Sequence, residues 1–156
     1  ITLRSYYATY RTFTTKSTRS SATTNQLNYA DAQALRRAVR KLDDFDFETA
    51  DKDDISSHVR AFIDTYNYTM DSAKSSTNSY ATSTYKNLKN LASKYSKDLE
   101  NIGIKENSSG YLTLSSSAVE NIRGSRFKSL LNKDSKFMKQ LTTYAKRMAN
   151  NIDYYA

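Results

Sequence analysis

Ile55, Val59, Phe62, Tyr66 and Met70 recur at alternating steps of four and three, with Ile63 beside them. Those steps put the side chains on one stripe of an α-helix, a heptad-like seam that has to be covered. The pattern predicts a helix over residues 55–74. It returns at Tyr85, Leu88, Leu91, Ala92, Tyr95, Leu99 and Ile102, which predicts a second helix over 84–102. Between them, residues 74–83 (KSSTNSYATS) interrupt the period. They read either as a tight connection between antiparallel helices or as helix that runs through with a polar face. Proline is absent and glycine numbers 3 in 156 residues, which favours helices over a turn-rich β fold. Phe62, Tyr66, Leu88 and Leu99 are the expected shared core of the hairpin.

Two more helices flank this pair. Residues 28–42 carry an apolar face of Ala34, Leu35, Ala38, Val39 and Leu42, with Asn28 as the expected N-cap. Arg36, Arg37, Arg40 and Lys41 load its C-terminal end, where cations suit the helix dipole. The last helix follows a cap at Asp134 or Ser135 and presents Phe137, Met138, Leu141, Tyr144, Ala145, Met148 and Ile152. The stretch between, LENIGIKENSSGYLTL over 99–114, holds two of the glycines. Gly103 is placed to stop the second helix in the left-handed conformation, with Leu99 and Ile104 as the apolar pair around the stop. Ile104-Lys105 and Tyr111–Leu114 are expected to pair as a small ribbon across the polar turn Asn107-Ser108-Ser109-Gly110. Ser115 to Ser117 offer caps for a short helix over 118–122, with Ser117 and Glu120 spaced as a capping box, and Gly124 is expected to end it. Phe127, Leu130 and Leu131 mark another short turn.

The start of the chain reads differently. Residues 1–26 are rich in Ser, Thr and Tyr, and 3–15 contain β-formers such as Tyr7, Tyr10, Phe13 and Thr14. They predict an extended arm or strand packed on the bundle or on another subunit, or else a mobile tail. Arg4, Arg11, Lys16 and Arg19 meet no acid before Asp31. The expected fold is therefore mainly α: a helical hairpin and bundle over 28–156 as a single domain, with a small β-ribbon and an extended arm at 1–27.

Charge divides the chain. Asp43, Asp44, Asp46, Glu48, Asp51, Asp53 and Asp54 crowd an acidic joint whose only cation is Lys52. Phe45 and Phe47 alternate with the acids as in a short extended segment, and Asp53 or Asp54 is the expected cap of the next helix. Arg123, Arg126, Lys128, Lys133, Lys136, Lys139, Lys146 and Arg147 make the final third basic, within a net charge of +8. The opposite ends can fold back on each other or meet between chains, head to tail. The excess of cations also suits an anionic polymer, nucleic acid or an acidic wall polymer. The Tyr and Arg interleaving near the start would suit single-stranded nucleic acid, but Tyr and Arg alternate in many structural strands, and that is the favoured reading.

Catalytic signatures are missing. There is no Gly-rich phosphate loop and no G-x-S-x-G turn. One histidine, His58, and no cysteine leave no nucleophile–base pair and no conventional zinc set. The acidic joint lacks the spacing, mid-loop glycine and closing glutamate of a calcium loop. Its clustered acids have nothing to set two distinct glycosidase roles. Asn67-Tyr68-Thr69 and Asn107-Ser108-Ser109 match glycosylation sequons. No apolar run approaches the ~18 residues of a membrane helix. The expectation is a non-enzymatic protein with no catalytic, cofactor or metal residues. A start at Ile1 reads as a fragment or processed product.

Several of these pieces carry a resemblance. Val59-Arg60-Ala61-Phe62-Ile63-Asp64-Thr65-Tyr66-Asn67 resembles a "V-x-x-F-V-x-x-Y-N" helix. "L-x-x-I-G-I", a polar turn with glycine and "L-x-L-S" then follow in order, and 127–152 resembles two late helices. Together, over roughly residues 55–150, they are similar to the C-terminal part of bacterial flagellar filament-capping (hook-associated type 2) proteins. Long terminal coiled-coil segments of that family are missing from this sequence, and the first 50 residues match no part of it. The resemblance implies a structural, self-associating protein at the flagellum or surface of a bacterium, outside the cell. Its implied partners are copies of itself and flagellin-like proteins. The other reading is a basic helical module for an anionic polymer.

Overall fold

A computed structural model describes residues 3–7 and 11–155. The fold is mainly α with one two-stranded antiparallel ribbon. Helix α1 is Lys16–Ser21, α2 Thr24–Asp44, α3 Lys52–Lys74, α4 Ser79–Lys94 and α5 Ser96–Glu100. Strands β1 (Ile104–Glu106) and β2 (Leu112–Leu114) follow, then α6 (Ser116–Glu120), α7 (Gly124–Leu131) and α8 (Lys136–Asn150). Helices α2, α3, α4 and α8 pack together around one large core. The seam Ile55, Val59, Phe62, Tyr66, Met70 lies inside it, as do Leu88 and Leu99. The expected hairpin is present: α3 ends at Lys74, and Asn78 caps α4 by accepting from the Tyr80 and Ala81 amides. Residues 74–83 are thus a connection.

The ribbon forms in the register Ile104↔Leu114, Lys105↔Thr113, Glu106↔Leu112. Gly103 has φ +80° and its N–H donates to the Glu100 carbonyl at 3.0 Å, with Leu99 and Ile104 both fully buried. The stop is of the expected kind. The helix before it is broken, however. Tyr95 leaves helical geometry (φ −102°, ψ 19°) and divides 84–102 into α4 and α5. Its ring packs edge-on against Phe137 at 5.5 Å. On one side of the bend α4 packs on α3 and α8, and on the other α5 meets β1.

Other boundaries also differ from expectation. Helix α2 starts four residues earlier than Asn28, where Thr23 and Gln26 form a capping box. Asn28 itself is buried within the helix. Asp51, rather than Asp53 or Asp54, caps α3, its Oδ1 accepting from the Asp54 amide at 2.8 Å. Ser115 caps α6 through the Ala118 amide, so Ser117 and Glu120 make no box. Ser135 caps α8. Gly124 begins α7 instead of ending α6: a Cβ there would lie 1.8 Å from the Phe47 carbonyl oxygen. Close backbone approach, and no turn, is what requires glycine.

The segment expected as an extended arm is folded where it is described. Leu3–Tyr6 and Arg11–Thr14 are 3-10 turns, α1 follows, and the boundary at residue 27 falls inside α2. Tyr6, Tyr7 and Phe13 join the main core. Tyr10, also read as strand-forming, lies outside the described residues. A strand needs an edge to pair with. The first turn meets α2 and α3 instead, and side chains fit their groove with the backbone bonded locally, Tyr7 N–H to the Arg4 carbonyl at 3.1 Å. Phe45 and Phe47 likewise do not continue an extended run. Phe45 closes α2, and Phe47 turns inward to stack on Phe127 with centroids 5.9 Å apart.

Candidate functional site

Helix α3 presents Tyr66 and Asn67 to the ribbon. The buried Tyr66 hydroxyl lies 3.2 Å from the Leu88 carbonyl and 3.1 Å from that of Gly110, sharing its proton between α4 and the turn. Burial, with the nearby Glu106 charge, holds its phenol far above the ordinary value near 10. Asn67 pairs with β2 as a neighbouring strand would. Its Nδ2 donates to the Leu112 carbonyl at 2.8 Å, and its Oδ1 accepts from the Leu112 N–H at 2.9 Å. Asn107 builds the turn by accepting from the Ser109 and Tyr111 amides. Both sequon asparagines therefore have their side chains engaged with backbone. Tyr85 and Tyr111 tie the same turn to α4 and α3 through Ser109 and Asp71. Burial and then the Asp71 carboxylate push the Tyr111 phenol up to about 12.

A second polar cluster holds the N-terminal segment. Asp31 on α2 is fully buried and accepts a bidentate Arg19 pair at 2.8 and 2.7 Å. The Tyr7 hydroxyl donates to the same carboxylate at 2.7 Å, and Arg19 also donates to the Phe13 carbonyl at 2.9 Å. The guanidinium sits 3.9 Å over the Tyr68 ring. Burial disfavours the Arg19 charge, but the Asp31 bonds and charge outweigh it and raise its affinity for the proton. Sequence reasoning missed this lock. The one available signal was that Asp31 is the first acid after a run of cations.

Cations concentrate on the last two helices. Helices α7 and α8 contain no acidic residue. Arg123, Arg126, Lys128, Lys136, Lys139, Lys146 and Arg147 are all exposed. At the α7 end the acidic joint folds against them within the same chain. Asp43 accepts from the Lys133 N–H at 3.0 Å and stands 3.9 Å from its ammonium. Lys52 donates to the Ile122 carbonyl. Asp46 is held below the usual carboxylate range by Thr49, its hydroxyl at 2.7 Å and its amide, with Lys128 adding to the effect. A cleft of about 540 Å³ opens between α5, α7 and the start of α8, where Arg126 and Lys136 face Tyr95 and Asp98.

The lone histidine is structural in its contacts: His58 stacks on Phe45 at 3.8 Å, and its Nδ1 lies 2.9 Å from the Asp54 carbonyl. Among the described residues no three of His, Asp and Glu converge as a metal would need. No described helix is long and apolar enough to cross a membrane. Comparison with protein-family models, with curated proteins and with solved structures finds no match to this chain.

Proposed function

We propose that this chain is a non-enzymatic, self-associating structural module of the kind the filament-capping resemblance implies, working outside a bacterial cell at a flagellum or surface. One observation supports the reading above others. The two stretches that carry the resemblance, residues 59–67 and 99–114, interlock through Tyr66 and Asn67. The motif residues are thus spent on holding the ribbon to a helical hairpin, the work expected of a structural protein. Its partners under this reading are further copies and flagellin-like subunits.

The test is assembly. Sedimentation velocity over a range of concentrations should reveal oligomers, and adding the chain to flagellin monomers should alter the rate of filament growth. A strict monomer with no effect on polymerisation would remove the proposal.

A further inference from the structure

We infer that the outer edge of β2 at Leu114 is a docking point for a primary carboxamide, the side chain of an asparagine or glutamine on another polypeptide. The ribbon's own bonds fix which way its backbone groups point. Ser115 N–H donates to the Gly103 carbonyl at 2.8 Å, and Asn107 N–H to that of Tyr111 at 2.9 Å. With Ile104 opposite Leu114, the hydrogen-bonded pairs of the ribbon are therefore 103/115, 105/113 and 107/111. Leu112 and Leu114 fall between those pairs, so their N–H and C=O groups point away from β1. At Leu112 that outward pair is taken by the Asn67 carboxamide. At Leu114 the same pair recurs on the same edge, and no group among the described residues bonds to it.

Beside it lies a hollow of about 230 Å³ lined by Arg60, Ile63, Asp64, Asn67 and Leu114. Helix α3 runs along β2 here: Asn67 meets Leu112, and Arg60, two turns back, donates to the Ser116 hydroxyl. Asp64 sits one turn before Asn67, on the wall shared with Leu114. Its carboxylate could accept from the Leu114 N–H but would repel the Leu114 carbonyl, so it cannot do there what Asn67 does at Leu112. The walls thus carry two donors, the Leu114 N–H and the Arg60 guanidinium, and two acceptors, the Leu114 carbonyl and Asp64. Partial removal from water raises the Asp64 carboxyl above its ordinary value, against the pull of Arg60. A primary carboxamide matches this set, with two N–H donors and an oxygen that accepts twice. A carboxylate brings no donor, an ammonium or guanidinium no acceptor, and a main-chain peptide group only one N–H. The hollow is smaller than the ~300–1,000 Å³ of sites for drug-sized ligands and suits one side chain, with Asn67 closing it toward Leu112.

The experiment titrates the whole chain with N-acetyl-glutamine methylamide at neutral pH and follows the Leu114 amide by NMR. A saturable shift with a millimolar Kd is expected. The glutamate analogue should bind at least about tenfold more weakly, because its carboxylate would meet the Leu114 carbonyl and Asp64. N-acetyl-alanine methylamide, which keeps the main-chain amides and lacks the carboxamide, should give no saturable shift. Asp64→Ala changes an exposed residue and should weaken glutamine binding at least about fivefold, with the dispersion of the spectrum checking the fold. Equal binding of the glutamine and glutamate analogues, or of the alanine one, would overturn the carboxamide. An unchanged Kd in Asp64→Ala would overturn the four-group site. Tighter binding of free glutamine would overturn a polypeptide as the source, and no saturable shift at Leu114 would overturn the whole inference. None of these outcomes depends on self-association of the chain.

Discussion

At the scale of single residues, the two informative glycines act for different reasons. Gly103 occupies the left-handed region, and a Cβ there would also come within 2.9 Å of the Ala118 Cβ. Gly103→Val should cost more than about 1 kcal/mol through strain and crowding. Gly124 has no positive φ; its constraint is the Phe47 carbonyl, a backbone atom that cannot swing away. Gly124→Ala should therefore destabilise by about 1–3 kcal/mol or more, the range for overpacked sites. Urea midpoints of the two variants check both, and an unchanged midpoint for Gly124→Ala would mean that α7 does not press on the joint. Sequence reading anticipated the first glycine because helix stops have a local grammar. It misassigned the second because a contact across 77 positions leaves no local mark.

At the scale of elements, the N-terminal segment is held by the Arg19–Asp31–Tyr7 lock and by its buried rings. Removing one member of a buried pair leaves the other uncompensated, at a cost of about 3–5 kcal/mol. Arg19→Met should show a loss of that size in chemical denaturation. Adding Asp31→Leu should recover much of it, since the stranded carboxylate is then gone. If the double variant is no better than the single, the bonds to Phe13 and Tyr68 carry the segment instead. In the hairpin, Leu88→Ala and Leu99→Ala should each cost about 2–5 kcal/mol, as both side chains are fully buried on opposite sides of the Tyr95 bend. A cost under about 0.5 kcal/mol for either would contradict that placement.

At the scale of the whole molecule, tyrosine burial should make stability fall at alkaline pH. Tyr7 and Tyr66 are held above their ordinary value near 10 chiefly by burial, and Tyr111 is pushed to about 12. The folded chain keeps protons that the unfolded chain releases. The associated stability is complete below about pH 10 and falls as pH rises beyond it. Thermal melts between pH 8 and 12, as rough bounds around that value, should show Tm declining only in the upper half. A flat Tm across that window would mean the phenols are hydrated. Charge governs assembly at the same scale. Asp43 meets Lys133 within the chain and Asp46 bonds to Thr49, while Glu48, Asp53 and Asp54 are exposed. Head-to-tail association should thus appear at low salt and weaken as salt screens over about 8–10 Å. Reversing Glu48, Asp53 and Asp54 to Lys should abolish it in light scattering. Asp51 is spared because it caps α3. Salt-insensitive oligomers would assign assembly to apolar surfaces.

Local pattern determined the apolar faces of the two hairpin helices, the last helix, the Gly103 stop and the ribbon, because each is specified by neighbours a few positions apart, while it left open whether residues 74–83 turn or run on as helix. The tertiary structure decided the rest. The Tyr95 bend depends on where α8 lies, and the fate of the N-terminal segment depends on the groove between α2 and α3. The pairing of Arg19 with Asp31 needs α1 to fold back on α2, and the grip of Asn67 on Leu112 needs the ribbon to meet α3. The hollow beside Leu114 exists only once those two elements are set side by side. Local pattern fixes which face of an element is apolar; which partner covers it is settled by the packing of the whole chain.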